Sequence, residues 1–124
     1  MSTRSHIGIL NQDGTIESVY CHFDGYVRGG VGQKLLNYQL EPQVRELLAR
    51  GQLRTLGSTI GSCEFYRDRG DSEEETKSEI FPDLAAWQAL RGAVDHLYLF
   101  KPDECNWYHN GDEPVVDILN SEEA

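Results

Sequence analysis

The chain is 124 residues long, enough for one domain with a real core and no need of a disulfide framework or structural metal. Apolar types make up 39% and charged types 26%, a globular rather than a disordered composition. Eleven basic against twenty-one acidic side chains give a formal charge of −10, which argues against a general nucleic-acid coat, since phosphate binding needs a basic surface.

No apolar run approaches membrane-spanning length, and Met1 to His6 does not read as a signal peptide, so no membrane association is expected. Three cysteines without a Cys-x-x-Cys pair point to free thiols in a reducing cytoplasm. The charge is segregated. Residues 1–60 hold five acids and six bases, whereas the remainder holds sixteen acids and five bases. One strongly negative face and one near-neutral face follow from that asymmetry.

In chain order, Ile7 to Leu10, the turn residues Asn11 to Gly14, and Thr15 to Phe23 predict a β-hairpin. On its second strand Val19, Cys21 and Phe23 share one face and Ser18, Tyr20 and His22 the other. Asp24-Gly25 breaks that strand, and a glycine-rich stretch from Arg28 to Gly32 leads to a short helix over Lys34 to Tyr38. Pro42, the stripe Val44, Leu47 and Leu48, and Gly51 mark a second helix. Cys63 to Tyr66 predicts a strand, Asp68 to Glu75 an acidic loop, and Lys77 to Phe81 another strand. Pro82-Asp83 opens a third helix that ends at Arg91-Gly92, and His96 to Phe100 is a further strand. Trp107 to His109 and Val115 to Leu119 read as short edge strands, and residues 120–124 as a frayed tail. The order predicts a single α+β domain over 1–124, an antiparallel sheet of about four to six strands that begins with a hairpin, with about three helices packed on one face.

The densest polar cluster is Tyr20 to Tyr26. If the strand runs straight, Tyr20, His22 and Asp24 project from one face, and a carboxylate beside an imidazole can orient it as a base or ligand. A half-exposed histidine before an Asp-Gly turn is the plainer reading. Cys21 points away from His22 and reads as a small core residue. Cys105 and His109, with Cys21 and His22, have no recognised zinc spacing, so no metal is expected. Gly25, Gly29, Gly30 and Gly32 with Arg28 and Lys34 could cradle a phosphate, but Gln33-Lys34-Leu35 breaks the phosphate-loop pattern. Arg67 and Arg69 can grip a phosphate or carboxylate, or enter an ion-pair network with Asp68, Asp71 and Glu73 to Glu75. The acids Glu73, Glu74, Glu75, Glu79 and Asp83 are either a solvated face or an imitation of a phosphate row that docks on another protein.

Ser2 to Ser5 with Ile7-Gly8-Ile9, then Asp13-Gly14-Thr15, Tyr20 to Tyr26, Val31-Gly32, Leu35-Leu36, Tyr38 and Tyr66 to Gly70, form a recurrent pattern. It resembles a family of small uncharacterised proteins of bacteriophage and prophage genomes. Val27-Arg28-Gly29-Gly30 departs from that pattern, where a proline follows the Asp-Gly-Tyr. The resemblance implies a phage origin and action in a bacterial host cytoplasm, and brings no activity with it. It draws attention to Cys21, His22, Asp24, Tyr26, Arg67, Asp68 and Arg69, which converge only if their two strands are neighbours.

Two functions follow as expectations. The first is a non-enzymatic acidic protein that binds a host defence or nucleic-acid-processing factor through Glu73, Glu74, Glu75, Glu79 and Asp83, without direct nucleic-acid contact. The second is a site for a nucleotide or other phosphorylated small molecule, a sponge or a hydrolase, built from Tyr20, His22, Asp24, Tyr26, Tyr66, Arg67 and Arg69. No complete catalytic constellation and no cofactor requirement are read in the sequence.

Overall fold

The computed structural model describes residues 2–121 and realises the opening hairpin. Strands β1 (Ser5–Leu10) and β2 (Ile16–Cys21) pair antiparallel with Ile7 opposite Val19. The turn is held by the Asp13 carboxylate, which accepts from the amide and the hydroxyl of Thr15, and by Gly14 at φ 89°. Helix α1 (Val31–Lys34) runs into a 3-10 turn over Leu35–Asn37. Helix α2 (Glu41–Ala49) starts where the Gln43 side chain accepts the Leu40 amide proton at 3.1 Å, and Gly51, at φ 90°, lets the chain leave it. Then come β3 (Leu53–Thr55), β4 (Glu64–Phe65), α3 (Glu73–Thr76) and β5 (Glu79–Phe81). Asp83 caps helix α4 (Leu84–Gln88) by accepting from the Ala86 amide at 2.8 Å. Strands β6 (His96–Lys101), β7 (Asn106–His109) and β8 (Glu113–Pro114) lead to helix α5 (Val115–Ser121).

All eight strands join one sheet in the order β4-β3-β2-β1-β6-β7-β8, with β5 also paired to β2. The class is α+β, but the sheet is larger than four to six strands and mixed rather than antiparallel. β1 runs parallel to β6, with Ile7 opposite Tyr98, and β2 runs parallel to β3. The described residues form five helices rather than about three, and they are not confined to one face. Ile7, Val19, Tyr98 and Phe100 pack under Val31, Val44, Leu47 and Val115 from α1, α2 and α5. On the opposite face Ile16, Leu97 and Leu99 pack under Trp87 of α4. The reason lies in β1 and β6, which are buried on both faces, Ser5 to Ile9 in one and Leu97 to Phe100 in the other. A strand covered on two sides belongs at the centre of a sheet, where parallel pairing is common.

Three local expectations change. Val115 to Leu119 is helical, because Val115, Ile118 and Leu119 turn inward at helical spacing while Val116 and Asp117 are exposed. Cys63 to Tyr66 contracts to the two-residue β4, and the acidic loop contains α3. Asn120 and Ser121 belong to α5, and the rest of the expected frayed tail, 122–124, lies outside the described residues.

The connection from β2 to α1 is tight at Gly30. A side-chain carbon there meets the backbone oxygens of Asp24 and Tyr26 well inside contact distance, whereas one at Gly61 meets open space. Gly30→Ala is therefore expected to lower unfolding free energy by about 3 kcal/mol or more, and Gly61→Ala to stay within about 0.5 kcal/mol of the parent. Urea denaturation of both variants checks this.

Candidate functional site

The alternation of β2 delivers Ser18 and Tyr20 to the α4 face, and His22 continues that line. The amides of His22 and Phe23 donate to the carbonyls of Leu53 and Arg54, which prolongs the β2–β3 pairing past the end of the strand. Ser18 is fully buried. Its hydroxyl donates to the Ile7 carbonyl at 3.1 Å and accepts from the Trp87 indole at 3.0 Å. With its one proton spent, Ser18 can only accept from the His6 Nδ1 that lies 2.9 Å away. His6 is therefore neutral with its proton on Nδ1, and burial pushes its pKa down to about 4. This polarity is the reverse of a base activating a serine, and His6 is only 5% exposed. The Ser18–His6–Trp87 knot is structural.

Tyr20 and His22 do meet: the Tyr20 hydroxyl lies 2.6 Å from His22 Nδ1. Burial pushes the Tyr20 pKa up, opposed by the charge of Arg4 and reinforced by Tyr66 nearby. Tyr20, rather than Asp24, orients the imidazole. The strand does not run straight to Asp24, which takes φ 60° and accepts with its carboxylate from the Tyr26 hydroxyl at 3.0 Å. His22 lines a shallow groove of about 620 Å³ with Ser2, Thr3, Arg4, Asp95 and His96. On β6 and β7, His96 Nδ1 and His109 Nε2 stand 2.9 Å apart. Burial lowers the pKa of both rings, and the charge of each neighbour contributes: Asp95 opposes the shift at His96, and His96 adds to it at His109.

The second strand of the proposed pocket is elsewhere. β3 lies between β2 and β4, so the strands that carry His22 and Phe65-Tyr66 are not neighbours. Residues Arg67–Arg69 form a 3-10 turn instead of extending the strand. The Arg67 guanidinium donates to the Ala49 carbonyl at 3.2 Å and to the Thr76 hydroxyl at 3.3 Å, which caps α2 instead of facing a ligand. Arg69 is exposed on that turn. The seven proposed ligand residues do not form one cluster: Tyr20 joins His22 with Tyr66 near them, Asp24 joins Tyr26 as a separate pair, and Arg67 and Arg69 stand apart. Arg4 and His96 were absent from the sequence-derived set. Arg4 had a signal, since hairpin register with Ser5 opposite Cys21 carries Arg4 to the level of His22.

The glycine-rich stretch is not a phosphate cradle, because its amides are spent internally. Gly29 donates to the Gln33 side chain, Val31 to Asp24, Gly32 to Tyr26, and Gln33 to Val27. Among the described residues no three His, Cys, Asp or Glu side chains gather as a metal site. Cys21 lies in the core with its thiol pushed up to about 12 by burial, Cys63 is half-buried and Cys105 exposed, all free.

The acidic half has a different character. Glu73, Glu74, Glu75, Glu79 and Asp83 are all exposed on α3, β5 and the start of α4. Among the described residues, Lys77 with Glu74 at 2.8 Å is the one ion pair formed by any acid from Asp68 to Asp117. The ion-pair network considered for Arg67 and Arg69 is not formed. The isoleucine of β5, Ile80, is 63% exposed amid these carboxylates. Among the described residues no helix is long and apolar enough to cross a membrane. Comparison with protein-family models, curated proteins and solved structures finds no match in any of the three.

Two outcomes check this description. The unfolded chain takes up a proton on His6 near pH 6.5 and the folded chain only near pH 4, so stability is whole above 6.5 and falls as pH drops through that window. The loss attributable to His6 reaches about 3 kcal/mol at pH 4, measured as the difference between parent and His6→Gln in urea titrations at pH 7.5 and pH 4. Iodoacetamide at neutral pH is expected to alkylate Cys105 first and Cys63 more slowly, and to reach Cys21 only after unfolding, as read by mass spectrometry.

Proposed function

We propose that the chain is an acidic binding protein of phage origin that engages a basic surface on a host protein through Glu73, Glu74, Glu75, Glu79 and Asp83. The observation that carries this reading is the exposed carboxylate run on α3 and β5, of which only Glu74 is neutralised by an ion pair. Leaving like charges uncompensated destabilises the folded chain by self-repulsion, a cost a binding partner would relieve. Ile80 and Leu84, 63% and 38% exposed, give that face an apolar element within a charged rim, the usual anatomy of a protein interface. A partner that binds nucleic acid offers the matching basic groove, and the host defence or nucleic-acid-processing machinery is rich in such proteins. Attraction of this kind speeds encounter and weakens steeply with salt. The supporting features are the charge segregation, the small single domain and the resemblance to phage and prophage proteins.

The test compares the parent with the triple variant Glu73→Lys, Glu75→Lys, Glu79→Lys, each immobilised and exposed to a bacterial lysate at low salt. The three sites are exposed, so the variant is expected to keep its melting temperature. A stoichiometric host protein held by the parent, released by salt and lost from the variant supports the reading. Equal retention by both, or no stoichiometric protein on the parent, overturns it.

A further inference from the structure

The groove at the start of β1 and β6 has the opposite chemistry to the acidic face and uses none of its residues. It is lined by Ser2, Thr3, Arg4, His22, Asp95 and His96, a set with two hydroxyls, a guanidinium and two imidazoles among its side chains. Asp95 is the one carboxylate among its lining residues, and its Oδ2 already accepts from the Arg4 amide at 2.9 Å. In a chain of net charge −10, that is a concentration of donors.

The hydrogen-bond order fixes what His22 offers. The charge of Arg4 acts on the Tyr20 hydroxyl and opposes the rise that burial brings to its pKa. The Tyr20 hydroxyl lies 2.6 Å from His22 Nδ1, and we assign the phenol as the donor of that bond. With Nδ1 accepting, neutral His22 carries its proton on Nε2, which makes that nitrogen a donor. His96 is held on its Nδ1 by His109, which leaves its Nε2 without a partner among the described residues.

We propose that this groove is an oxyanion site that takes a phosphate monoester group, with Arg4 and His22 as its principal donors and His96, Ser2 and Thr3 around them. A divalent cation does not fit, because the Tyr20 bond keeps the His22 lone pair on Nδ1 occupied and no three metal ligands gather there among the described residues. A carboxylate offers two acceptor oxygens on one plane. A phosphate offers three terminal oxygens around one centre, which matches donors arriving from the β1 start, the β2 end and β6. The proposal is independent of the acidic-face reading, and each can fail alone.

The experiment is a titration of the full chain with inorganic phosphate, adenosine 5′-monophosphate, phosphoserine and acetate, following the imidazole nitrogen resonances by NMR. The His22 and His96 resonances are expected to move saturably with the phosphate probes and not with acetate; the tightest of the three identifies whether free phosphate, a nucleotide or a phosphorylated side chain is preferred. Arg4→Gln, at an exposed site, is expected to weaken binding about tenfold or more, the loss of one charge-assisted hydrogen bond. Tyr20→Phe should shift the neutral His22 proton toward Nδ1 in the free protein, visible in its nitrogen shifts, and weaken phosphate in parallel. No saturable movement at about 10 mM phosphate, about ten-thousandfold above a micromolar Kd, an equal response to acetate, or unchanged affinity in a folded Arg4→Gln overturns the proposal.

Discussion

Everything in this fold hangs on β1 being paired on both edges and covered on both faces. Its hairpin partner β2 runs antiparallel and its other neighbour β6 runs parallel. The parallel contact cannot form until most of the chain has been traversed, so the intervening helices must lie over the sheet, and they do so on two sides. A buried polar group in that position needs a partner to avoid a free-energy cost, and among the described residues the Ser5 hydroxyl is the side-chain group left without one. His6 and Ser18 meet that requirement through the Trp87 indole and the Ile7 carbonyl. That knot ties α4 to the β1–β2 hairpin and specifies which face α4 covers.

The sequence made the local parts of this arrangement legible. The hairpin, the proline-started α2 and the Asp83 cap each depend on residues within a few positions of one another, so turn and capping chemistry identifies them. What failed was non-local. Leu97 to Phe100 is a continuous apolar run, and nothing within it says whether its neighbour is parallel or antiparallel. Val115 to Leu119 combines strand-favouring side chains with helical spacing, and tertiary packing of Val115 resolved the conflict. Leu53–Thr55 is three residues long, too short for periodicity to register.

The candidate site divides along the same line. Tyr20 and His22 were readable as a pair, because two-residue spacing on a strand needs no tertiary information. Arg67 stands apart from that pair: a guanidinium looks the same in sequence whether it meets a ligand or the carbonyl end of α2, and only the fold brings Ala49 to it. His96 entered the groove through the parallel pairing of β6 with β1, the feature that local reasoning misses. Its tie to His109 depends on the next pairing outward, with Tyr98 opposite His109.

Two chemistries of opposite sign thus rest on one sheet, and the sheet explains how they coexist. The groove sits where β1 begins, β2 ends and β6 begins, and the Arg4 carbonyl accepts from both the Asp95 and the His96 amides there. The acidic residues belong to β5 and its flanks, and β5 pairs with the opposite end of β2, Ile16 facing Phe81. Strand length therefore separates the donor groove from the carboxylate run. From Ser18, which faces Glu79, to His22 is four residue steps, about 13 Å, more than the Debye length of about 8 Å at physiological ionic strength. Salt screens the two regions from each other, so a negatively charged ligand can approach the Arg4 and His22 donors without meeting the full repulsion of a chain that carries a net charge of −10.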